Sequence, residues 1–151
     1  MIRNAIIADA RAIQNLVNEY AKKGEMIHLS LNEIYERIFE FIVYECDNKI
    51  VGCCALHPTW DDLAEIRSLA VDVDYHGKDI GYNMVKYNLE RAKKLAIKKV
   101  FALTYKPLFF EKLGFTIIEK ELLPKKIWTD CLKCIKFPDC DESAVIIEFK
   151  D

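Results

Sequence analysis

The segment Asp74-Tyr-His76-Gly77-Lys78-Asp79-Ile80-Gly81 places two glycines and a lysine just before an apolar-striped helix. Glycines let main chain approach a phosphate closely. The unpaired N–H groups and dipole of a helix start favour an anion there. Two glycines before a helix are also an ordinary turn, so the pattern alone leaves both readings open. The chain also holds six cysteines. Cys131, Cys134 and Cys140 have a spacing that invites zinc, but a fourth ligand is needed and a second Cys-x-x-Cys pair is absent. Asp139, His57 or an outside cysteine would have to serve. Zinc and a redox pair at Cys131 and Cys134 both rank behind free thiols. Cys46, Cys53 and Cys54 sit in apolar strand patterns and read as small core residues. A cysteine nucleophile paired with His57 is the weaker alternative. His28, His57 and His76 form no spaced metal pair.

The elements that must position these residues follow from periodicity. Ile2 to Ile7 reads as a first strand. Asp9 is a candidate N-cap, and Ile13, Leu16, Val17 and Tyr20 form the stripe of an amphipathic helix that Gly24 ends. Ser30-Leu-Asn-Glu33 is a capping box for a second helix through Ile34, Tyr35 and Ile38. Phe41 to Cys46, the turn Asp47-Asn48-Lys49 and Ile50 to His57 make a hairpin. Leu63 to Val71 is a fourth strand. A helix with Val85, Leu89, Ala92 and Ala96 along one stripe follows the glycine loop. Lys99 to Leu103 is a fifth strand, and Pro107 precedes a short helix at Phe109 to Leu113, stopped by Gly114. Phe115 to Glu119 and Ala144 to Phe149 close the order β-α-α-β-β-β-α-β-α-β-β. That order predicts an α+β (mixed α/β) fold with one central sheet, in a single domain spanning 1–151.

Composition narrows the class. The chain is 151 residues long and 52% hydrophobic, enough for a packed core. Its net charge of −2 gives no global pull toward nucleic acid. The first nine residues have no long apolar run and reach an acid at Asp9, so no secretory leader is expected. No uncharged stretch approaches ~18 residues, so no membrane span is expected. A cytoplasmic chain with reduced thiols is the expectation.

The stretch Ala64-Glu-Ile-Arg-Ser-Leu-Ala-Val71, followed by the glycine loop, resembles the acetyl-CoA motif of the GNAT N-acetyltransferases. Against the family pattern Arg/Gln-x-x-Gly-x-Gly/Ala, His76 takes the first place, Asp79 the first glycine and Gly81 the second. Gly77 matches the common Arg-Gly opening. The departure at His76 is mild, because the main chain does most of the anion capture. Asp79 either turns its side chain outward or caps the helix, or else its charge weakens affinity for CoA. Leu103-Thr-Tyr-Lys-Pro-Leu-Phe-Phe-Glu-Lys-Leu-Gly-Phe115 with Leu123-Pro124 is similar to a run in bacterial N-acetylglutamate synthases. So are Gly24-Glu-Met-Ile-His-Leu-Ser30 and Ile50-Val-Gly-Cys-Cys-Ala-Leu56. The resemblance covers nearly the whole chain but only the acetyltransferase domain of those enzymes, as in a short single-domain form. It implies the GNAT fold with a mostly antiparallel twisted sheet, and acetyl-CoA as cosubstrate. It also implies acetyl transfer to the α-amino group of L-glutamate, the entry step of arginine biosynthesis.

Acetylating an amine requires that the ammonium lose a proton, that the thioester oxygen meet a donor and that the leaving thiolate be protonated. Glu65 is the candidate base; relatives in the superfamily carry a glutamate in a similar place. By alternation it shares a face with Arg67 and Leu69. Its bland alternative is a strand glutamate paired with Arg67 or a lysine. Arg67 is equally a ligand for a substrate carboxylate or that partner. The resemblance implies that Leu69, Ala70 and Val71 receive the pantetheine as an added strand. It also implies that His76, Gly77, Lys78, Asp79, Ile80 and Gly81 hold the pyrophosphate. Many family members place a tyrosine acid where Phe110 stands, so Tyr105 is the substitute donor, or else a packed ring. His28 and Ser30 occupy a substrate segment that is otherwise basic in the synthases. Asp141 and Glu142 replace a basic C-terminal run, and Arg3, Arg67, Lys106, Lys125 or Lys126 would have to compensate. Another amine acceptor (glutamine, a polyamine, a protein N-terminus) stays open, as does a non-catalytic CoA-binding regulatory module, for which Asp79 and Phe110 speak. No nucleic acid or membrane partner is expected. The resemblance allows a homodimer through residues 125–143.

Overall fold

The computed structural model describes residues 1–123 and 142–150. Cys131, Cys134 and Cys140, Lys125, Lys126 and Asp141 lie outside the described residues, as does all but the end of the 125–143 segment.

The elements in chain order are β1 (Ile2–Asn4), α1 (Ala10–Lys22), α2 (Leu31–Glu36), β2 (Phe41–Cys46), β3 (Lys49–Pro58), β4 (Leu63–Val71), α3 (Ile80–Lys94), β5 (Lys99–Thr104), α4 (Pro107–Glu111), β6 (Thr116–Ile118) and β7 (Ser143–Glu148). The expected alternation holds. The strands form one seven-stranded sheet in the order β1-β2-β3-β4-β5-β7-β6. The pairs are antiparallel except β4 with β5. That parallel pair needs a crossover, which α3 supplies. The insertion of β7 between β5 and β6 has no local signal in the chain.

Two helical layers cover the sheet. Ile80, Met84, Val85, Leu89 and Ala92 of α3 pack with Ile42, Cys54, Leu56, Ala64, Ile66 and Val100 on one face. Ile13 and Val17 of α1 and Ile34 of α2 pack with Val43, Cys53, Ala55 and Ala70 on the other. The Asp47-Asn48 turn has both residues at positive φ, 51° and 62°, as a two-residue hairpin requires.

Several boundaries differ from the sequence reading. β1 ends at Asn4, and the chain turns through a 3-10 segment at Ile7–Asp9. Asp9 stands at the N-cap place of α1 but makes no cap bond. Its carboxylate accepts instead from the Ile6 N–H at 2.8 Å and from both terminal nitrogens of Arg3 at 2.8 and 3.0 Å. Ala96 leaves the α3 stripe. It is exposed and left-handed (φ 62°) just past the helix, and Ile97 N donates to Ala92 O at 3.0 Å. This is a Schellman closure. α4 starts at Pro107, two residues earlier than expected, and β6 is the short Thr116–Ile118.

The most consequential difference is a bulge in β4. The register with β3 slips between Cys53 and Ala55, and Ser68 takes φ 53°. An extra residue there flips the alternation beyond it. Leu69 and Val71 therefore join the Ile66 side, against α3, while Ala70 turns to α1. The expectation that Leu69 shares a face with Glu65 and Arg67 is corrected by this one residue.

Candidate active site

β4 and β5 pair only from Leu63 to Glu65 against Lys99 to Phe101. Beyond Glu65 they part, leaving one edge of β4 open. The Asp72 N–H donates to Val51 O of β3 at 2.8 Å. The carbonyl at the other end of that planar trans peptide, Val71 O, therefore points away from β3. By alternation the main chain of Leu69 points the same way. An open edge of this kind accepts an extended partner as an added strand.

A cleft of about 1030 Å³ follows this edge. One end is the glycine loop and the start of α3. Gly77, which lines the cleft, has φ +79°, and a Cβ built there meets nothing within 4 Å. Asp79 is left-handed (φ 60°), exposed and makes no side-chain cap. The cap expected as one alternative for its side chain is thus not made, and Asp79 lines the cleft. A Cβ on Gly81 would meet Phe109 at 3.6 Å and Val71 at 3.7 Å, ordinary contacts that set how closely the helix start approaches the strand.

The other end is side chains. Glu65 is buried (8% exposed), and its Oε1 accepts from Arg67 Nε at 2.6 Å. The pairing with Arg67 that the sequence offered as an alternative is present, in a glutamate that is buried and not solvent-facing. Tyr105, one residue past β5, lines the same wall, with Lys106 beside it. Phe110 is buried in an edge-to-face run with Phe109 and Phe115, ring centroids 5.1 Å apart in each pair, and offers no proton. Tyr20 of α1, His28 in the loop before α2 and Arg37 just past α2 also line the cleft.

Most of the sequence candidates meet here. Glu65, Arg67, Leu69, Val71, His76, Gly77, Asp79, Ile80, Gly81, Tyr105, Phe110 and His28 line the cleft, and Glu142 joins them. Ala70, Lys78 and Ser30 do not. Ala70 is buried under α1; Lys78 lies 5.4 Å over the Tyr75 ring; Ser30 caps α2 by accepting from the Glu33 N–H at 3.1 Å. Cys53 and Cys54 are fully buried, and burial pushes their thiols up, Cys54 to about 12. His57 faces Glu40 at 3.0 Å instead. Neither thiol is an available nucleophile. Among the described residues no group of three or more His, Cys, Asp or Glu is placed to hold a metal, and no helix is long and apolar enough to cross a membrane.

Two cleft residues escaped the sequence reading. Tyr20 reads as the end of an apolar stripe, but its hydroxyl donates to Val71 O at 2.6 Å. His76 Nε2 lies 2.9 Å from that hydroxyl and 3.0 Å from the same carbonyl. With the tyrosine proton committed, Nε2 is the protonated ring nitrogen. Burial, the larger influence, holds the Tyr20 hydroxyl above its ordinary range, against the Val71 contact. Arg37 sits in a polar helix end with no motif to mark it.

The chain is similar to known acetyltransferases. The model of the "Acetyltransferase (GNAT) domain" family matches residues 35–117. The chain is 40% identical over 145 residues to an N-acetyltransferase of Chlorobaculum tepidum, CT2212, covering 96% of this chain and 94% of that one. It is 42% identical over 122 residues to the amino-acid acetyltransferase of Mycobacterium tuberculosis, covering 79% and 70%. Longer amino-acid acetyltransferases, such as that of Buchnera aphidicola, match at 32% identity over 31% of their length. Among solved structures, Rv2747 of Mycobacterium tuberculosis in complex with CoA and NLQ superposes with a TM-score of 0.85 at 32% identity, covering 99% of both chains. N-acetylglutamate synthase of Neisseria gonorrhoeae gives a TM-score of 0.90 at 24% identity, with all of this chain on 35% of that one, a likeness of fold.

Proposed function

The chain belongs to the GNAT acetyltransferases, and on that premise we propose that it moves acetyl from acetyl-CoA to the α-amino group of an amino acid, L-glutamate foremost. This would be the entry step of arginine biosynthesis. The observation that carries the proposal is one cleft. In it an open strand edge and a glycine loop meet a buried Glu65–Arg67 pair beneath α1 and α2. The 42% identity to the amino-acid acetyltransferase of Mycobacterium tuberculosis supports an amino-acid acceptor. The Rv2747 complex supports CoA at the corresponding place.

The residues fit this cosubstrate, which when bound supplies an acetyl group activated as a thioester. Leu69 and Val71 direct main-chain groups to the gap between β4 and β5. Because Tyr20 and His76 already engage the Val71 carbonyl, Val71 contributes its N–H. The N–H groups of residues 77–81 and the α3 dipole favour a pyrophosphate. Departures at His76 and Asp79 are tolerable where the main chain is the recognising group.

Glu65 takes the proton from the acceptor ammonium, directly or through water. Arg67 holds that carboxylate in place at 2.6 Å and adds positive charge beside the reacting carbonyl. On this reading Tyr105, which lines the same cleft, returns a proton to the leaving sulfur, a role Phe110 lacks the hydroxyl to fill.

Glu142 on the cleft wall favours a second reading, a cationic acceptor such as a polyamine. Thiol release with acetyl-CoA against a panel of glutamate, glutamine, other amino acids, spermidine and a peptide N-terminus tests the choice. Turnover confined to glutamate and close relatives is expected. Preference for spermidine or the peptide, or cofactor binding without turnover, would overturn it.

A further inference from the structure

An amino acid carries at least one carboxylate into the cleft, and a carboxylate in a half-dry site needs a cation whose donors are unspent. Most basic side chains near the cleft are engaged or peripheral. Arg67 is bound to Glu65 at 2.6 Å. Arg3 forks onto Asp9 at 2.8 Å and reaches Glu45 at 3.0 Å, away from the cleft lining. Lys106 lines the cleft but is exposed, where its pairing energy is small.

Arg37 differs. It lines the cleft, it is half-buried, and among the described residues its guanidinium has no hydrogen-bond or ion-pair partner. Its root is rigid. The Arg37 N–H donates to Glu33 O and Ile34 O at 3.1 and 3.2 Å, and its carbonyl accepts from the Glu40 N–H at 2.9 Å. Ile34 and Ile38 on either side are buried at 0% and 7% exposed. An arginine just past a helix can turn back to bond its last carbonyls; no such side-chain bond is made here. The nearest acid on its own helix face, Glu33, is spent, its Oε1 accepting from the Ser30 N–H and hydroxyl at 3.2 Å each.

We infer that Arg37 is the specificity-determining residue that grips a carboxylate of the acceptor amino acid, a ligand of planar, two-oxygen chemistry that the guanidinium fork matches. This rests on the proposed amino-acid acceptor and deepens it. The cleft then has two basic stations with separate duties. Arg67 orients Glu65, and Arg37 holds the substrate.

Two measurements test it, on the full chain and on Arg37→Gln and Arg37→Lys. In steady state, Arg37→Gln should raise the KM for glutamate about tenfold or more, the loss typical of a charge-assisted bond. The KM for acetyl-CoA should stay within about twofold, and Arg37→Lys should recover part of the loss. If the KM for glutamine rises equally, the α-carboxylate is the one held; if only glutamate suffers, it is the side-chain carboxylate. The second readout needs no turnover: glutarate, a dicarboxylate without an amine, titrated calorimetrically in the presence of CoA. Its binding should be lost in Arg37→Gln and partly retained in Arg37→Lys. Unchanged glutamate KM or unchanged glutarate binding in Arg37→Gln overturns the inference while leaving acetyl transfer to amino acids intact. Arg37-dependent glutarate binding with no amino-acid turnover by the unaltered chain would instead keep Arg37 and sink the proposed acceptor.

Discussion

The two ends of the cleft recognise their ligands by different means. On the proposed reading, the cofactor end works through main chain: the open edge of β4, the left-handed turn at Gly77 and the first N–H groups of α3. The acceptor end works through side chains, Glu65 and Arg67 from β4, Tyr105 just past β5 and Arg37 just past α2. Main-chain recognition tolerates exchange of side chains as long as φ and ψ are kept, and His76 and Asp79 sit in the loop off the family pattern. Side-chain recognition has no such slack, because each group carries its own proton or charge.

The largest expected effect is at the acceptor end. Glu65→Gln should lower kcat by about a hundredfold to ten-thousandfold, the range for loss of a positioned base, with acetyl-CoA affinity unchanged. An unchanged pH–rate profile in that variant would remove Glu65 from the chemistry and erase the contrast between the ends.

The next effect separates charges that act in chemistry from charges that hold the fold. Asp9 pairs with Arg3 outside the cleft lining. Burial alone would raise its pKa, but the Arg3 hydrogen bonds, the Ile6 N–H and the Arg3 charge outweigh it, and the net value lies below the ordinary one. A depressed carboxylate contributes stability above its unfolded pKa of ~3.9, and that stability is lost as pH falls through the lower folded value. Asp9→Asn should therefore cost about 1–3 kcal/mol near neutrality and flatten the acid limb of the stability curve, with KM values unmoved. Urea melts from pH 2 to 7 would show it. A wild-type acid limb in the variant would contradict the assignment.

At the cofactor end the effects are smaller and conformational. Gly77→Ala forces an L residue to φ +79° with no steric contact to blame. Its cost of about 1–2 kcal/mol is backbone strain alone. It should loosen acetyl-CoA up to about tenfold with the glutamate KM unchanged. Asp79→Gly relieves a left-handed residue (φ 60°) and removes a charge near the expected pyrophosphate. It should stabilise the fold by up to about 1 kcal/mol and tighten acetyl-CoA slightly. Equal affinity in a direct titration would mean the aspartate charge never reaches the cofactor.

This division also explains what was legible in the sequence. The loop and its helix were readable because main-chain sites are written locally: Gly77, Gly81 and the apolar stripe of α3 lie within a few turns of one another. The Ser30–Glu33 capping box and the 41–46 strand were readable for the same reason. The β4 bulge at Ser68 was not, since nothing in Arg67-Ser-Leu-Ala forces φ 53°; the slip is set by pairing with β3. That one residue moved Leu69 to the opposite face. Tyr20 looked like core because stripe logic counts its ring and ignores its hydroxyl, and Arg37 carried no motif at all. Both come to the cleft across long sequence separations, Tyr20 reaching Val71, and Arg37 lining the same cleft as residues of β4 and β5.

The central claim is the division of labour between the two ends. It is tested most directly by titrating acetyl-CoA into the Glu65→Gln/Arg67→Gln double variant. Removing both members of the Glu65–Arg67 pair avoids leaving either one buried without the other, and a thermal melt of the variant confirms that it is folded before the titration is read. Acetyl-CoA affinity within about twofold of the unaltered chain, with glutamate turnover abolished, is the predicted result. Cofactor affinity that falls together with turnover would contradict it.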